Sequence, residues 1–402
     1  MSTLRLKIAV YGIAVRVRGA AARFLQALPG TWRALNLPRK RVRSLKLWVE
    51  SQRRLTPWME RCKGAHYEVF RPTEIVSRPE PRRIGGGAIH PAFTAERYHV
   101  HNEVFLARIP GARILGPGGV VITPDGGVVE ESTWSYGWLQ RDRALTSLRL
   151  PDCENLRGIF YTIASLSSEG YWHWISEALP RLFAIEQLPH DEIKIIVLRD
   201  LSEWQMESLE ALGLSHLQFV PLNRRHLQLE VLFFPSYVGT PGNPHAWGYQ
   251  WLRRRLLAGV EPQRNDRRLY VTRRRALRRR VSNEEELEPI LSKLGFEIIE
   301  AEQLSLRDKA RIFSEAEAVV GPHGAGLTNI FLSPPGCRVL EIFDPSHMNV
   351  NNYAAAEVLG QEYWYMLGKT EAKTGVHLVS GHDDIRLPAA EFEQALSAML
   401  RS

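Results

Sequence analysis

Two stretches of this chain space titratable residues in ways that could do chemistry. In YWHWISEALPRLFAIEQL, residues 171–188, His173 and Glu177 stand four apart, so on a helix they share one face. A carboxylate or an imidazole placed there can take the proton of a hydroxyl as that hydroxyl attacks an electrophile. Glu177 is the first candidate for the base and His173 the second, the other one orienting base or hydroxyl. In the second stretch the apolar residues Ala318 to Val320 run into Gly321-Pro322-His323-Gly324-Ala325-Gly326, after which a helix is expected. A strand that ends in glycines and passes into a helix leaves backbone N–H groups unpaired at the positive end of the helix dipole, which suits an anion. Gly324 and Gly326 would let the backbone approach a diphosphate, and His323 can donate to a phosphate oxygen or to the adjoining sugar. Glu341 lies within the next apolar run, where a parallel strand covered on both faces should carry no charge. A buried carboxylate needs a partner, and ribose hydroxyls would serve. Each residue also has a purely structural reading: Gly-Ala-Gly as a tight turn, His323 as a helix cap, Glu341 paired with an arginine, Asn283 as part of a capping box. Together, with Arg273 to Arg275 following the apolar run at Tyr270, they read better as a phosphate site.

The elements that must hold these residues alternate in period. Strands are expected at Leu269–Thr272, Phe296–Ile299, Ala318–Val320, Val339–Phe343 and Tyr363–Met366. Helices are expected from a Ser282/Glu285 capping box to Gly295, from Ser305 with Asp308, near Asn351–Leu359, and at Pro388–Leu400. That alternation predicts an α/β fold with a parallel sheet. A further set, Ile193–Leu198, a helix Glu203–Ala211, Leu217–Val220 and Val231–Phe234, predicts another α/β domain. Between about 66 and 147 short alternating runs with Gly/Pro/Asp turns predict a β-rich segment, with a hairpin turn at Pro124-Asp125-Gly126-Gly127 and a flexible loop at Gly85-Gly86-Gly87.

Tyr270-Val271-Thr272-Arg273-Arg274 with Ala276, Arg279, Asn283 and Glu284, then Gly321 to Asn329, Pro335-Gly336 and Leu340-Glu341-Ile342, resemble glycosyltransferase family 61, as do His173-Trp174, Glu177 and Leu179-Pro180-Arg181-Leu182. The resemblance covers roughly residues 95 to 370. It implies a GT-B fold, two Rossmann-like domains facing a cleft. It implies inverting transfer from a nucleotide sugar, usually a UDP-sugar, to a glycan or glycolipid hydroxyl, with no cofactor and no essential metal, as in capsule, lipopolysaccharide or exopolysaccharide synthesis. The donor would be held by Arg273, Arg279, Asn283, His323, Gly324, Ala325, Gly326 and Glu341, with Glu341 on the ribose and the arginines on the diphosphate. Thr272 stands where the family commonly has serine, and the extra arginines depart from its pattern.

The expected organisation is a basic helical extension (1–65), the β-rich segment (66–147), a first Rossmann-like acceptor domain (148–243), a second Rossmann-like donor domain (244–380) and a C-terminal helix (381–402). With 402 residues the chain can fold as two or three domains, and a net charge of +8 favours anionic partners. Twelve arginines lie between Arg253 and Arg280. Cys62, Cys153 and Cys337 are too few and too scattered for a disulfide framework or a zinc site. No run reaches the apolar length of a membrane span, and no signal peptide or Golgi-type anchor is recognisable. The expectation is a bacterial cytoplasmic enzyme, with possible peripheral contact of the basic N-terminus with the anionic inner face of the membrane. Two other readings compete. A Rossmann oxidoreductase would need the third glycine of G-x-G-x-x-G, and a non-catalytic membrane- or nucleic-acid-binding module would interleave aromatics with its arginines, where only Tyr270 is found.

Overall fold

The computed structural model describes residues 3–28, 31–55, 64–133, 142–188, 192–371 and 383–401; Cys62 lies outside them, as do the side chains of the first 14 residues, including part of the basic N-terminal face. The fold is mixed α/β. It divides into two compact units, one of Met1–Thr73, Asn102–Glu203 and Leu214–Pro241, the other of Glu74–His101, Trp204–Gly213 and Gly242–Ser402.

The first unit is built on four parallel strands, Glu154–Thr162, Ile193–Val197, Gln218–Pro221 and His226–Pro235, which stand in the order third, second, first, fourth. On its other edge His226–Pro235 pairs antiparallel with Val104–Pro110 and Arg113–Leu115, and the sheet continues through Val120–Ile122 and Gly127–Val129 to Lys40–Val42. The expected limit at 147 therefore separates nothing: the β-rich residues and the first α/β residues share one ten-stranded sheet and one core, in which Phe105, Ile109 and Val121 meet Phe160, Ile196 and Leu229. The central strand Glu154–Thr162 was not expected from its sequence. Its first half is polar, and Gly158, at φ +105°, marks a break in register between Leu156 and Ile159 that erases the two-residue period.

The second unit carries five parallel strands, Arg267–Val271, Phe296–Ile299, Ala316–Pro322, Arg338–Phe343 and Glu362–Leu367, in the order second, first, third, fourth, fifth. Apolar residues fill both faces, and Tyr270, Val320, Leu340 and Met366 pack under the helices Glu284–Lys293 and Ala389–Arg401. Two segments from before residue 244 complete this unit. Arg82–Arg83 adds a parallel strand beside Glu362–Leu367, and Glu207 of the helix Glu203–Ala211 accepts from the backbone of Leu306 at 2.6 Å. Buried Arg78, close to Glu96 (3.4 Å) and Glu357 (3.9 Å), ties down the first of these segments.

Of the two serines expected to open helices, one does so. Ser305 caps its helix, accepting from Asp308 N and donating to the Asp308 carboxylate. Ser282 does not: its hydroxyl points to Ile385 O, and the helix begins at Glu284 without a side-chain cap. Among the described residues no helix is long and apolar enough to cross a membrane.

Candidate active site

In a parallel sheet the strand order reverses between two neighbours whose following loops run to opposite faces, and ligands bind in the crevice left at their C-terminal ends. In the second unit that reversal lies between Arg267–Val271 and Ala316–Pro322. The loops that follow carry Arg273 and Arg279 on one side and His323 and Gly324 on the other. The helix expected after Gly326 is a 3-10 helix, Ala325–Leu332.

Glu341 is fully buried. Its Oε1 accepts from His323 Nδ1 and Asn352 Nδ2, each at 2.6 Å, and its Oε2 accepts from the Tyr363 hydroxyl at 2.5 Å. This corrects the ribose role expected of Glu341: both oxygens are engaged inside the protein, and the carboxylate instead fixes the His323 ring, which also stacks on Phe343 with centroids 5.2 Å apart. With Nδ1 committed, Nε2 is the nitrogen of His323 left for a ligand. Asn283 is corrected as well. Its amide donates to Leu387 O (2.8 Å) and accepts from Leu387 N (3.0 Å), so it fastens the helix start to the chain before the last helix. Gly324 has an extended backbone that any residue adopts, yet a Cβ there would overlap the Arg273 guanidinium. In this arrangement the glycine makes room for the arginine. Gly326 sits close to Val271, where a Cβ would lie 3.0 Å from Cγ1, a tight contact. Ala325 is exposed at the tip of the turn.

The arginine run sorts into two kinds. Arg264, Arg267, Arg268, Arg274, Arg275 and Arg280 each lie against a carboxylate, as Arg280 does on Asp384 at 2.8 Å. Arg273 and Arg279 make no such pair among the described residues, and the Nε of each is buried without a hydrogen-bond partner. Burial, then the charges of Arg279 and Arg278, push Arg273 down to about 10; burial and Arg278 lower Arg279. Both remain cations at neutral pH. Arg279 also holds a left-handed backbone, φ +56°, a conformation that costs a non-glycine residue about 1 kcal/mol or more. Sequence reasoning missed His347, whose ring lies 5.6 Å from that of His323 and which burial, His323 and Arg279 push down to about 4. Its signal was its position just past the C-terminal end of the Glu341 strand. Two partly buried guanidiniums, an oriented imidazole and a second, neutral imidazole thus lie near one another, and the Glu341 carboxylate that bears on Arg279 is already held by three donors. An anion of two or more charges fits there.

In the first unit the order reverses between Glu154–Thr162 and His226–Pro235. The segment after the former is a single α-turn, Tyr171–His173, then a π-helical stretch, Trp174–Ala178, then a 3-10 helix, Leu179–Gln187. Pro180 explains the change: it has no N–H for Ser176 O, and its ring would strike that carbonyl in an α-helix. The expected pair forms, His173 Nδ1 donating to Glu177 Oε1 at 2.8 Å, with the Glu177 side chain 5 % exposed and that of His173 29 %. Arg181, not foreseen as a functional residue, is wholly buried. It donates to Ala164 O and Pro235 O, each at 3.0 Å, at the ends of the two strands where the order reverses, and lies over the Tyr237 ring at 4.7 Å. The Leu-Pro-Arg-Leu block was visible in the sequence; the partners of its arginine were not.

The structure therefore brings Arg273, Arg279, His323, Gly324 and Glu341 together in one unit and His173 with Glu177 in the other. Among the described residues no group of three or more His, Cys, Asp or Glu side chains is arranged to hold a metal ion. No curated protein matches the chain. Residues 171–340, which begin with the α-turn that ends at His173 and stop one residue short of Glu341, match the family model described as Glycosyltransferase 61, and the match supports glycosyltransferase family 61 and a transferase that takes a donor and an acceptor.

Proposed function

We propose that the protein is an inverting glycosyltransferase that uses a nucleotide-sugar donor, a UDP-sugar first among those to test. One observation carries the donor half of this reading: Arg273 and Arg279 are partly buried cations, each with its Nε buried, that have no carboxylate against them among the described residues, at the strand-order reversal of the second unit. Their charge answers that of a departing diphosphate. His323, held by Glu341, would donate through Nε2 to the same oxygens. At the acceptor, His173 is the better base, reversing the order expected from sequence, because the Glu177 carboxylate is nearly inaccessible while the imidazole reaches solvent. The acceptor hydroxyl attacks the anomeric carbon, its proton passes to His173 Nε2, Glu177 stabilises the resulting imidazolium, and the C1–O bond to the diphosphate breaks with its electrons leaving on the nucleotide. No step is assigned to a metal. A GT-B arrangement, a glycan or glycolipid acceptor, a bacterial cell-envelope pathway and a cytoplasmic location with peripheral membrane contact go with this reading as the resemblance implies them. Neither the oxidoreductase nor the non-catalytic reading gains support: Asn329, not a glycine, stands three residues past Gly326.

Isothermal calorimetry of the full chain with UDP, GDP, CDP and NAD, without added metal, tests the proposal. UDP should bind wild-type protein and fail to bind a double Arg273→Met, Arg279→Met variant. Binding of NAD with UDP silent, or UDP binding indifferent to both arginines, would overturn it.

A further inference from the structure

Beside the reversal in the first unit lies a cavity of about 230 Å³ whose lining includes Asn102, Glu103, Phe105, Glu131, Thr133 and Tyr237. That volume is below the roughly 300 Å³ at which pockets for drug-sized ligands begin, and suits one small ring. The lining is more apolar than polar, and its charged members are acidic. Among the described residues no Lys, Arg or His contributes to it, in a chain of net charge +8. One of its carboxylates is incompletely satisfied: Glu131 Oε1 accepts from Leu45 N at 2.9 Å, while Oε2 is buried with no partner. A buried oxygen in that state lacks a donor, and a ligand hydroxyl is a donor that brings no charge. Phe105 and Tyr237 add ring surface for the C–H faces of a sugar. Tyr237 also joins the cavity to the candidate base, since its ring carries the Arg181 guanidinium and both side chains feel the charge of Glu177.

We propose that this cavity is a subsite for a neutral pyranose, its hydroxyls donating to Glu131 and Glu103 and its ring resting on Tyr237. Among the described residues the lining offers no cation to phosphate or uronate, and Glu103, which accepts from the Tyr67 hydroxyl at 2.6 Å and lies 3.8 Å from Lys46, adds an acid, so the subsite does not favour the anionic donor that the arginines of the second unit attract. That the pyranose is the acceptor rests on the transferase reading; that the cavity binds a sugar does not.

The test is saturation-transfer NMR on the full chain with methyl glycosides of glucose, galactose, mannose and N-acetylglucosamine at millimolar concentration, and with methyl glucuronide as the anionic control. The same measurement is made on Glu131→Gln and Thr133→Val, with melting temperature and UDP calorimetry alongside. At least one neutral glycoside should receive saturation, and the signal should fall several-fold in the variants while UDP binding is retained. The proposal is overturned if no neutral glycoside is saturated, if neither variant weakens the signal, or if the glucuronide binds as well as the neutral sugars. Should Glu131→Gln fail to fold, Thr133→Val decides alone. UDP binding without glycoside binding sinks the subsite and leaves the transferase; glycoside binding that depends on Glu131 with UDP silent does the reverse.

Discussion

At the strand-order reversal of the first unit a histidine donates to a glutamate across 2.8 Å, and at that of the second unit another does so across 2.6 Å, yet the two pairs sit in fields of opposite kind. Near His173 and Glu177 the buried Arg181 donates to two main-chain carbonyls and lies over an aromatic ring, and the neighbouring cavity holds two carboxylates and, among the described residues, no cation. Around His323 and Glu341 the carboxylate is closed off by three donors, while two partly buried guanidiniums have no carboxylate against them among the described residues. The same His–Glu unit can therefore serve as a base where nothing nearby is anionic enough to need neutralising, and as a fixed donor where the surroundings demand an anion. What differs is the charge left over, not the pair.

Exchanging the roles would break this comparison, and the largest effect is expected at the candidate base. His173→Asn should lower kcat about a hundred- to ten-thousand-fold with UDP affinity unchanged, whereas His323→Asn should weaken UDP as well. Equal loss of UDP binding in both would erase the distinction. Next comes stability. Arg181→Ala strips two buried carbonyls of their donor and should cost about 2–6 kcal/mol in urea unfolding, while Arg273→Met removes a partly buried cation that has no carboxylate partner among the described residues and should leave the ligand-free protein as stable or more so. Each of Arg273→Met and Arg279→Met should weaken UDP about ten- to a hundredfold, as expected for one charged hydrogen-bonding group of about 1.5–3 kcal/mol.

The smallest effect is in the pH dependence, where the units should pull oppositely. Burial pushes Glu131 of the first unit up to about 7 from an ordinary 4.5, so between those values the folded state holds more proton than the unfolded one and stability falls as pH rises. His347 of the second unit is pushed down to about 4 from 6.5, so between those values the unfolded state holds more proton and stability rises with pH. Glu131→Gln should abolish the fall and His347→Gln the rise, each by less than about 3 kcal/mol, the His347 change being the smaller because that ring is partly in solvent. Unfolding curves at pH 4.5, 5.5 and 6.5, values chosen to span roughly the shared window, measure both slopes.

Much of the second unit was legible in its sequence. Phe296–Ile299 was read to the residue, as was the helix Glu203–Ala211. Short β-branched runs and capped amphipathic helices are local properties, set by neighbours in the chain. The His173–Glu177 pair was legible for the same reason, because a spacing of four survives even the π-helical widening that Pro180 imposes. What the local pattern could not tell was membership and partnership. It could not place Arg82–Arg83 at the edge of a sheet whose other strands lie some 200 residues on, nor join the residues before 147 to those after it.

The candidate site divides along the same line. By itself the sequence determined which residues carry charge, which stand at the ends of strands, and that arginine would dominate one region; these follow from residue type and period. Only the tertiary structure decided that Glu341 serves His323 and not a ribose, that Asn283 serves Leu387, that Gly324 serves Arg273, and that six arginines of the run are neutralised while Arg273 and Arg279 are not. A hydrogen-bond partner or a counter-ion is settled by which groups arrive within about 3 to 4 Å once the chain is packed, and Asn283 and Leu387, 104 apart in the sequence, meet at that distance.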